Sequence, residues 1–326
     1  MQTFIVYQED GVYAGWPANH GAWQWGDELL VGFMRGQHKK VGMHNIVPPF
    51  QKVLSRSLDG GKTWTLEVPN VDFEGSYPRG VPFPTPSDEV ILRFCGGYDH
   101  GGELCDSRGA VYWSSDRGHT WRGPAFVMPE IRSAQPIHCT TRTCVLGDLM
   151  FLSTANTEHW GSDCTFCCRV ENGHLSSPSL VLGDEYRAVM PAVAKVGGRI
   201  VAAIRRRGPP RVGCWIDSVF SDDEGETWSD PVHVADTGES NGNPPALIER
   251  DGTLYCAYAN RSDKILWVSK SIDAGLTWGQ HAILNSGSCS DVGYPRLFKR
   301  TDGTLVCVYY WSAEGEPQHI LATHFD

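Results

Sequence analysis

The sequence has no long hydrophobic run and no stretch with a convincing helical period. No apolar segment approaches the roughly 18 residues that a membrane-spanning helix needs. The N-terminus also lacks the basic region and apolar run that mark a signal peptide. As the sequence stands, we expect a cytoplasmic protein with no membrane partner. A secreted or periplasmic protein whose signal had been trimmed would have the same sequence.

Positive charge is scarce, since 28 Lys and Arg face 38 Asp and Glu and give a formal net charge of −10. This balance argues against a nucleic-acid partner, and an anionic ligand would need a local basic pocket.

The 11 cysteines are an odd number without framework spacing, which fits reduced thiols. Cys164, Cys167 and Cys168 suggest zinc, but no second Cys/His pair at ligand spacing accompanies them. We therefore expect neither a metal nor a cofactor.

One octapeptide, Ser-x-Asp-x-Gly-x-Thr-Trp, occurs four times and is called the Asp box below. The copies lie at residues 57–64, 114–121, 221–228 and 271–278. Each predicts a hairpin in which the Asp accepts bonds from amides two residues later and the Gly takes a positive φ. The offsets of 57, 107 and 50 residues indicate a missing copy near Arg169–Gly173, which has a plainer turn. Such a period is typical of a propeller.

A second repeat consists of prolines at intervals of 61, 58, 55, 53 and 51 residues. Each is followed by an alternating apolar stretch, a tight turn and a second strand. The pattern predicts an all-β, six-bladed β-propeller of four-stranded antiparallel blades, with residues 1–326 as a single domain. The last blade is one strand short, and we expect the N-terminal strand Thr3–Tyr7 to complete it and close the ring. The prolines are Pro17, Pro78, Pro136, Pro191, Pro244 and Pro295.

This strand order divides the loops between two faces of the ring. The two-residue turns and the Asp boxes lie on one face, where the boxes are structural hairpins. The loops that enter each first strand and follow each second strand lie on the other face. These loops are long, polar and aromatic, as a ligand funnel requires.

Asp boxes on a six-bladed propeller resemble the sialidase (neuraminidase) superfamily. Its members hold the sugar carboxylate with three arginines, and use a glutamate-activated tyrosine as nucleophile and an aspartate as acid/base. The resemblance implies an exo-acting glycoside hydrolase that releases a terminal acidic sugar from a glycan, with an exo-α-sialidase as the first expectation. A non-catalytic carbohydrate-binding propeller, a polysaccharide lyase and a uronic-acid glycosidase remain alternatives, because all of these occur on the same fold.

Four residues match positions of the superfamily. Tyr294 stands eight residues before the turn of the sixth blade and corresponds to the nucleophile. Arg205 follows the turn of the fourth blade and corresponds to a carboxylate-binding arginine, and Arg261 is a looser match for another. Arg35 resembles the secondary arginine that steadies the acid. Together they predict a funnel built for an anion, since a guanidinium fork suits a carboxylate.

Three positions depart from the superfamily pattern. Ala14–Pro17 replaces the aromatic-Arg-Ile-Pro sequence, so the first triad arginine is absent. The acid/base aspartate would fall near His44–Ile46, where no carboxylate occurs. The activating glutamate would fall near Val189–Met190, and the closest carboxylate, Glu185, is offset by several residues. An unchanged sialidase mechanism is therefore not expected.

Identical Tyr-Pro-Arg triplets in blades two and six offer a replacement for the missing arginine. Side chains on either side of a strand residue point the same way, which pairs Tyr77 with Arg79 and Tyr294 with Arg296. Arg79 and Arg296 then either bind the sugar beside the fourth-blade arginine or bond carbonyls at the channel wall. Trp16 and Tyr77 are further candidates for substrate contacts.

The acid/base residue must lie on the funnel face. Asp99 and His100 follow the second strand of blade two, and Glu158 occupies the same place in blade three. Asp291 lies three residues before the predicted nucleophile. Burial could raise any of these carboxylates into an acid role, although each is equally a loop-scaffold candidate. His44 or His100 would instead suit a general base, as in a lyase. The sequence leaves the oligomeric state open.

Overall fold

The computed structural model describes most of the chain. Within the described part, all regular structure is β-strand apart from one 3-10 turn at Pro17–Asn19. No helix there is long and apolar enough to cross a membrane. The described residues are 1–42, 44–71, 83–95, 110–126, 142–153, 163–171, 174–175, 178–208, 213–239, 242–287 and 289–326.

The strands form six antiparallel sheets that follow one another along the chain. In chain order they are β1 (Gln2–Tyr7), β2 (Val12–Gly15), β3 (Ala22–Trp25), β4 (Glu28–His38), β5 (Ile46–Ser57), β6 (Thr65–Glu67), β7 (Ile91–Cys95), β8 (Ala110–Ser114), β9 (Arg122–Phe126), β10 (Cys144–Leu146), β11 (Leu149–Ser153), β12 (Thr165–Glu171), β13 (His174–Leu175), β14 (Ser179–Leu182), β15 (Arg187–Val196), β16 (Arg199–Arg207), β17 (Cys214–Ser221), β18 (Val232–Gly238), β19 (Ala246–Arg250), β20 (Thr253–Asn260), β21 (Ile265–Ser271), β22 (Gly279–Ser286), β23 (Gly293–Lys299), β24 (Leu305–Trp311) and β25 (His319–Phe325).

The sheets confirm the predicted six-bladed propeller. Blades four and five have the orders β15-β16-β17-β18 and β19-β20-β21-β22, each strand pairing with its neighbour in sequence. In blade one the 3-10 turn divides the first strand into β2 and β3, which both pair with β4. Blade three has the order β10-β11-β12, with β13 and β14 both pairing with β12. Blade two is described as β7-β8-β9, and its predicted first strand lies outside the described residues.

The N-terminal strand closes the ring, as predicted from the sequence. β1 pairs antiparallel with β25, so that Gln2 lies opposite His324 and Phe4 opposite Ala322. The sixth sheet therefore has the order β1-β25-β24-β23. This pairing covers an edge that would otherwise expose unpaired amide and carbonyl groups to another chain.

A buried hydrophobic cluster lies at each of the six blade interfaces. Blades one and six share Phe33 and Val308, for example, and blades four and five share Ile216 and Cys256. Strand β24 is buried along its whole length because neighbouring blades cover both of its faces. The six clusters hold the inner strands at fixed positions, and this rigid ring supports the loops of the funnel face.

The Asp boxes form the predicted hairpins, with one correction. In the first box, Ser57 donates to Asp59 Oδ1 at 2.8 Å, and Trp64 Nε1 donates to the carbonyl of Gly61 at 3.0 Å. Asp59 accepts from the Thr63 amide at 2.9 Å, four residues later rather than the predicted two. The longer reach follows from the positive φ of Gly61, 89°, which curls the turn back over the carboxylate. The carboxylates of Asp116, Asp223 and Asp273 bind the same way.

Two further turns lie outside the Asp boxes. In blade two the turn spans Ser87–Val90, whose backbones exchange two hydrogen bonds. The Ser87 hydroxyl also accepts the amides of Glu89 and Val90, which fixes this turn. In blade three Glu171 pairs with His174 where the fifth Asp box is missing, in agreement with the plainer turn predicted there. The two residues between them lie outside the described residues.

Loss of an Asp-box carboxylate should destabilise the fold in a pH-dependent way. Asp59→Ala removes bonds to Thr63 and Lys62, and we expect the free energy of unfolding to fall by about 1–2 kcal/mol at neutral pH. Burial acts to raise the pKa of Asp59, but the hydrogen bonds outweigh it and lower the pKa to about 2. The stabilisation is therefore present above the ordinary pKa and fades as the pH falls towards about 2.

Urea denaturation of Asp59→Ala and the parent at neutral pH and near pH 3 measures this effect. Asp230→Ala is the control, because Asp230 is exposed and stands outside the boxes. Equal destabilisation by both substitutions, or a difference that does not shrink in acid, would contradict the assigned role of the box.

Candidate active site

Three residues directly before repeat prolines hold a left-handed backbone conformation. Trp16, Met190 and Tyr294 have φ values of 57°, 56° and 49°. All three side chains belong to one buried cluster, to which blades one, four and six contribute. A non-glycine residue held in this region carries roughly 1–3 kcal/mol of strain, which persists only where the surroundings fix it. The strained positions mark the place where these inner strands converge on the funnel face.

The carboxylate of Asp291 lies at the centre of a hydrogen-bonded network there. Its Oδ2 accepts from the hydroxyl of Tyr13 at 2.8 Å and from Nδ1 of His44 at 3.0 Å. Its Oδ1 accepts from the hydroxyl of Tyr310 at 2.6 Å and from Nη2 of Arg261 at 3.4 Å. Arg261 also donates to the Tyr310 hydroxyl at 2.7 Å. These five residues, called the Asp291 cluster below, come from blades one, five and six and from the loops between strands.

Electrostatics fix the protonation states within the Asp291 cluster. Burial acts to raise the pKa of Asp291. The His44 hydrogen bond and the Arg261 charge outweigh burial and bring this pKa below its ordinary value, so the carboxyl stays ionised. Burial and the Asp291 charge raise the pKa of Tyr13 well above its ordinary value. Burial does the same to Tyr310, with Arg261 opposing and Asp291 reinforcing the shift. Both tyrosines are therefore neutral donors that hold the carboxylate.

Tyr294 sits between two guanidinium groups. Arg205 Nη1 donates to the Tyr294 hydroxyl at 3.4 Å and to the Met190 sulfur at 3.2 Å. The Arg261 guanidinium lies 5.4 Å from the centre of the Tyr294 ring. Burial lowers the pKa of Arg205, the Arg187 and Arg261 charges lower it further, and Tyr294 acts in the opposite direction. Both guanidinium groups would attract an anionic group placed beside Tyr294.

The backbone at Tyr294 is held by a buried amide side chain. Asn243 Oδ1 accepts from the amide of Tyr294 at 3.1 Å and from that of Ala259 at 3.3 Å. Its Nδ2 donates to the carbonyl of Val292 at 2.9 Å. Gly293 allows this approach, because a Cβ there would lie 2.5 Å from the Asn243 side chain. Asn243 therefore fixes the left-handed turn that aims the tyrosine.

Several sequence predictions meet in this site. Tyr294, Arg205 and Arg261 come together, and Trp16 packs edge-on against His44 with ring centres 5.1 Å apart. His44, which stands where the superfamily's aspartate was expected, instead contacts Asp291. The roles assigned to these residues in substrate binding and catalysis remain predictions.

Two predicted binding residues lie elsewhere. Arg35 donates to Tyr7 at 2.9 Å and pairs with Glu9 at 3.4 Å, beside the end of the N-terminal strand β1. Arg296 lines a cavity on the ring axis and donates to the carbonyls of Pro17 and Ala18. This is the second of the two arrangements considered for it, in which the arginine bonds carbonyls at the channel wall. The same-side pairing expected for Arg296 and the nucleophile candidate fails, since a register shift interrupts the strand between Gly293 and Arg296.

The other predictions fall outside the site or outside the described residues. Glu185, the nearest substitute for the missing glutamate, is exposed and its charge acts on Tyr186. Asp99, His100, Glu158, Arg79 and Tyr77 lie outside the described residues.

Three members of the site were not recognised in the sequence. Asn243 precedes the repeat proline of blade five, the position that Tyr294 holds in blade six, so the repeat itself could have revealed it. Tyr310 lies near the end of the second strand of blade six, as Arg205 and Arg261 lie near the ends of theirs, so the same argument could have identified it. Tyr13 had no such signal, because it reaches the site only through ring closure.

The described residues contain no group of three or more His, Cys, Asp or Glu that could hold a metal ion. Cys167 and Cys168 instead belong to the hydrophobic clusters on the two sides of blade three. Burial raises the pKa of Cys167 to about 12, so its thiol is protonated. These two cysteines serve as small apolar side chains.

Comparison with known proteins places the chain in a family. Residues 52–307 match the model of the BNR repeat-like domain, and the chain belongs to that family. The match covers the four Asp boxes and most of the ring. A comparison with curated proteins gives no match.

Solved structures share the fold at low sequence identity. A Dyadobacter fermentans protein of unknown function is 18% identical with a TM-score of 0.75, over 99% of this chain and 97% of that one. An α-L-arabinofuranosidase of Fusarium graminearum is 14% identical with a TM-score of 0.63, over 100% and 97%. A Trypanosoma rangeli sialidase is 12% identical with a TM-score of 0.64, over 94% of this chain and 54% of that one, about half its length. The fold is one that glycoside hydrolases use.

Removal of the Asp291 carboxylate should destabilise the protein far more than removal of an exposed carboxylate. Asp291→Ala leaves the buried Arg261 charge uncompensated, and we expect the free energy of unfolding to fall by about 3–5 kcal/mol. Glu9→Ala is the matched control, because the Arg35–Glu9 and Arg261–Asp291 pairs are both 3.4 Å long but only the latter is buried. We expect a change below about 1 kcal/mol for the control.

Urea denaturation of the two variants and the parent at neutral pH measures both losses. A similar loss of unfolding free energy in both variants would show that burial does not determine how much the Asp291 cluster contributes to stability.

Proposed function

We propose that the protein is an exo-acting glycoside hydrolase that releases a terminal acidic sugar, a sialic acid first and a uronic acid next. The observation that carries the proposal is the position of the Tyr294 hydroxyl, 3.4 Å from the Arg205 guanidinium on the funnel face. A nucleophile candidate and a carboxylate-binding group thus share one buried site. The fold neighbours, which include sialidases and an arabinofuranosidase, support the reaction class.

The charge of the sugar follows from the guanidinium groups. Arg205 and Arg261 both face Tyr294, while Asp291 is already engaged by four donors. A sugar carboxylate beside Arg205 would gain charge-assisted hydrogen bonds in a site shielded from water, where such bonds are strong. A neutral pentose would gain no such charge-assisted bonds, so an acidic sugar fits better.

Tyr294 is the group placed to act as nucleophile. Its oxygen would bond to the anomeric carbon and lose its proton to a solvent water, while the bond to the leaving oxygen breaks and that oxygen takes a proton from the acid. Water would later hydrolyse the glycosyl-enzyme and return a proton to the tyrosine. The guanidinium groups of Arg205 and Arg261 would stabilise negative charge in the transition state. Asp99, Glu158 and His100 remain the proposed donors of a proton to the leaving oxygen.

Turnover of an aryl α-sialoside by the purified protein tests the hydrolase proposal. We expect Tyr294→Phe to lower kcat on the order of 10⁴-fold, because it removes the nucleophile. Arg205→Ala should weaken substrate binding by about 10- to 100-fold through the lost charge-assisted bond. Tyr258→Phe is the control, since Tyr258 is equally buried but bonds Ser269 within blade five, and it should keep full activity.

Full activity of Tyr294→Phe would disprove the nucleophile assignment. Binding of free sialic acid that Arg205→Ala abolishes, without any turnover, would instead favour a non-catalytic carbohydrate-binding propeller.

The His44–Asp291 pair supports a second candidate, a polysaccharide lyase. The ionised Asp291 can only accept a hydrogen bond, so His44 Nδ1 donates to it, and in a neutral imidazole Nε2 would then be the nitrogen that can accept a proton. That nitrogen would take the proton next to a uronate carboxylate while the glycosidic C–O bond breaks and a carbon–carbon double bond forms. Tyr294 would return a proton to the leaving oxygen.

The lyase candidate predicts an ultraviolet-absorbing unsaturated product from uronate polymers. We expect His44→Ala to lower its rate by about 10²–10⁴-fold, the usual contribution of a general base. His281→Ala is the control, because His281 is exposed and bonds the carbonyl of Asp326 in the outer part of the ring. Absence of any absorbance increase with the parent protein would eliminate this candidate.

A further inference from the structure

Asn243 is fully buried where blades five and six meet, and its side chain bonds the backbone of both. In blade five, Oδ1 accepts from the amide of Ala259, two residues before Arg261. At the start of blade six, Oδ1 accepts from the amide of Tyr294, and Nδ2 donates to the carbonyl of Val292. The side chain thus joins the strand end that leads to Arg261 with the turn that carries Tyr294.

Arg261 bonds the same turn. Its Nε donates to the Val292 carbonyl at 3.2 Å, and Asn243 Nδ2 donates to that carbonyl at 2.9 Å. Because a guanidinium is planar and rigid, fixing one of its nitrogens also directs the others. The Arg261 guanidinium lies 5.4 Å from the centre of the Tyr294 ring. This distance therefore depends on where Asn243 holds the turn.

The turn itself is strained. Tyr294 has a φ of 49° directly before Pro295, although a residue in that place favours an extended conformation. Strained backbone of this kind persists only where neighbouring groups hold it. Asn243 provides an acceptor for the amide at one end of the turn and a donor for the carbonyl at the other end. Both bonds act on the left-handed conformation of the tyrosine.

Close packing on two sides leaves the Asn243 side chain little freedom. A Cβ on Gly293 would lie 2.5 Å from Nδ2 and 2.6 Å from Oδ1. A Cβ on Gly242 would lie 2.4 Å from Cys214 and 2.6 Å from the Thr237 hydroxyl, so the backbone before Asn243 packs directly on blade four. The amide side chain is therefore held at a fixed place between blades.

We propose that Asn243 is a positioning residue for the reaction of Tyr294. Its three bonds hold the left-handed turn, and the shared Val292 carbonyl sets the tyrosine against Arg261. Asn243 aims the hydroxyl and does not contact the sugar. This role in catalysis rests on the glycosidase function proposed above, whereas the restraint on the backbone can be measured without a substrate.

Stability measurements test the backbone restraint. Glycine adopts a left-handed conformation freely and alanine does not, so Tyr294→Gly should have a folded-to-unfolded ratio about 5-fold above that of Tyr294→Ala. In an Asn243→Ala background we expect this advantage of glycine to disappear or reverse. The turn can then relax, and glycine loses more chain entropy on folding. Urea denaturation of the single and double variants measures both ratios.

Two other substitutions at Asn243 keep this test decisive. In Asn243→Asp the carboxylate can still accept from the amides of Ala259 and Tyr294 but cannot donate to Val292. This variant should retain the advantage of glycine at position 294. Asn243→Ser, whose shorter side chain cannot span the same distance, replaces Asn243→Ala if the latter does not fold.

Turnover of the aryl α-sialoside, measured well below the Tm of each variant, tests the consequence for the reaction. We expect Asn243→Ala to lower kcat by about 10²-fold, as for a misplacement of about 1 Å, and to change KM by less than about 3-fold. KM should hold because Asn243 bonds blades five and six, whereas Arg205 lies on blade four. Asn243→Asp should recover part of kcat.

Asn70→Ala is the matched control for turnover. Asn70 also accepts a backbone amide of another blade, that of Trp121 at 2.9 Å, but this bond lies at the second Asp box on the far face. A loss of stability alone would lower the Tm of either variant without changing kcat per folded molecule. The control should therefore keep the kcat and KM of the parent.

Two outcomes would overturn the proposal. One is an advantage of glycine at position 294 that stays unchanged in the Asn243→Ala background. The other is an active parent whose kcat survives Asn243→Ala or falls equally in Asn70→Ala. A parent without turnover, in which the advantage of glycine does depend on Asn243, would support the backbone restraint and overturn only the glycosidase function.

Discussion

Pairing of β1 with β25 closes the ring, and the arrangement of the blades and the candidate site both require this closure. The ladder from Gln2 to Tyr7 joins the two ends of the chain and presses blade six against blade one. The candidate site is a direct product of this contact, because Tyr13 of blade one reaches Asp291, 278 residues later in the chain. Without closure, the carboxylate would lose its donors from blade one and from the loop that carries His44.

The funnel face illustrates how a propeller can bury charge at its centre. Asp291 is ionised and almost fully buried, yet four donors from three parts of the chain satisfy it. Arg261 is neutralised by the same carboxylate, whereas Arg205 faces a tyrosine and a methionine. The two guanidinium groups beside Tyr294 therefore differ in the contacts they make, one with a carboxylate and one with a hydroxyl and a sulfur.

Two charged positions of the superfamily pattern are uncharged in this site. Met190 stands beside Arg205 where a glutamate was expected, and Trp16 stands where the first arginine was expected. Both residues, like Tyr294, hold a left-handed conformation before a proline. Three inner strands of this ring therefore share one backbone geometry while their side chains differ. The arabinofuranosidase and the sialidase share the ring at 14% and 12% identity, and one fold can carry different side chains at its site.

The repeated boxes and prolines determined the number of blades, the faces and the closing strand, because turn chemistry and strand alternation are local properties. They also placed Tyr294, Arg205 and Arg261 on one face. The three-dimensional contacts were needed to show that Asp291, rather than a residue aligned with the superfamily's acid, holds the network together. They also show that Arg296 lines the cavity on the ring axis, because a bulge interrupts the alternation assumed for its strand. Contacts between distant blades depend on ring closure and bulges, which no local pattern encodes.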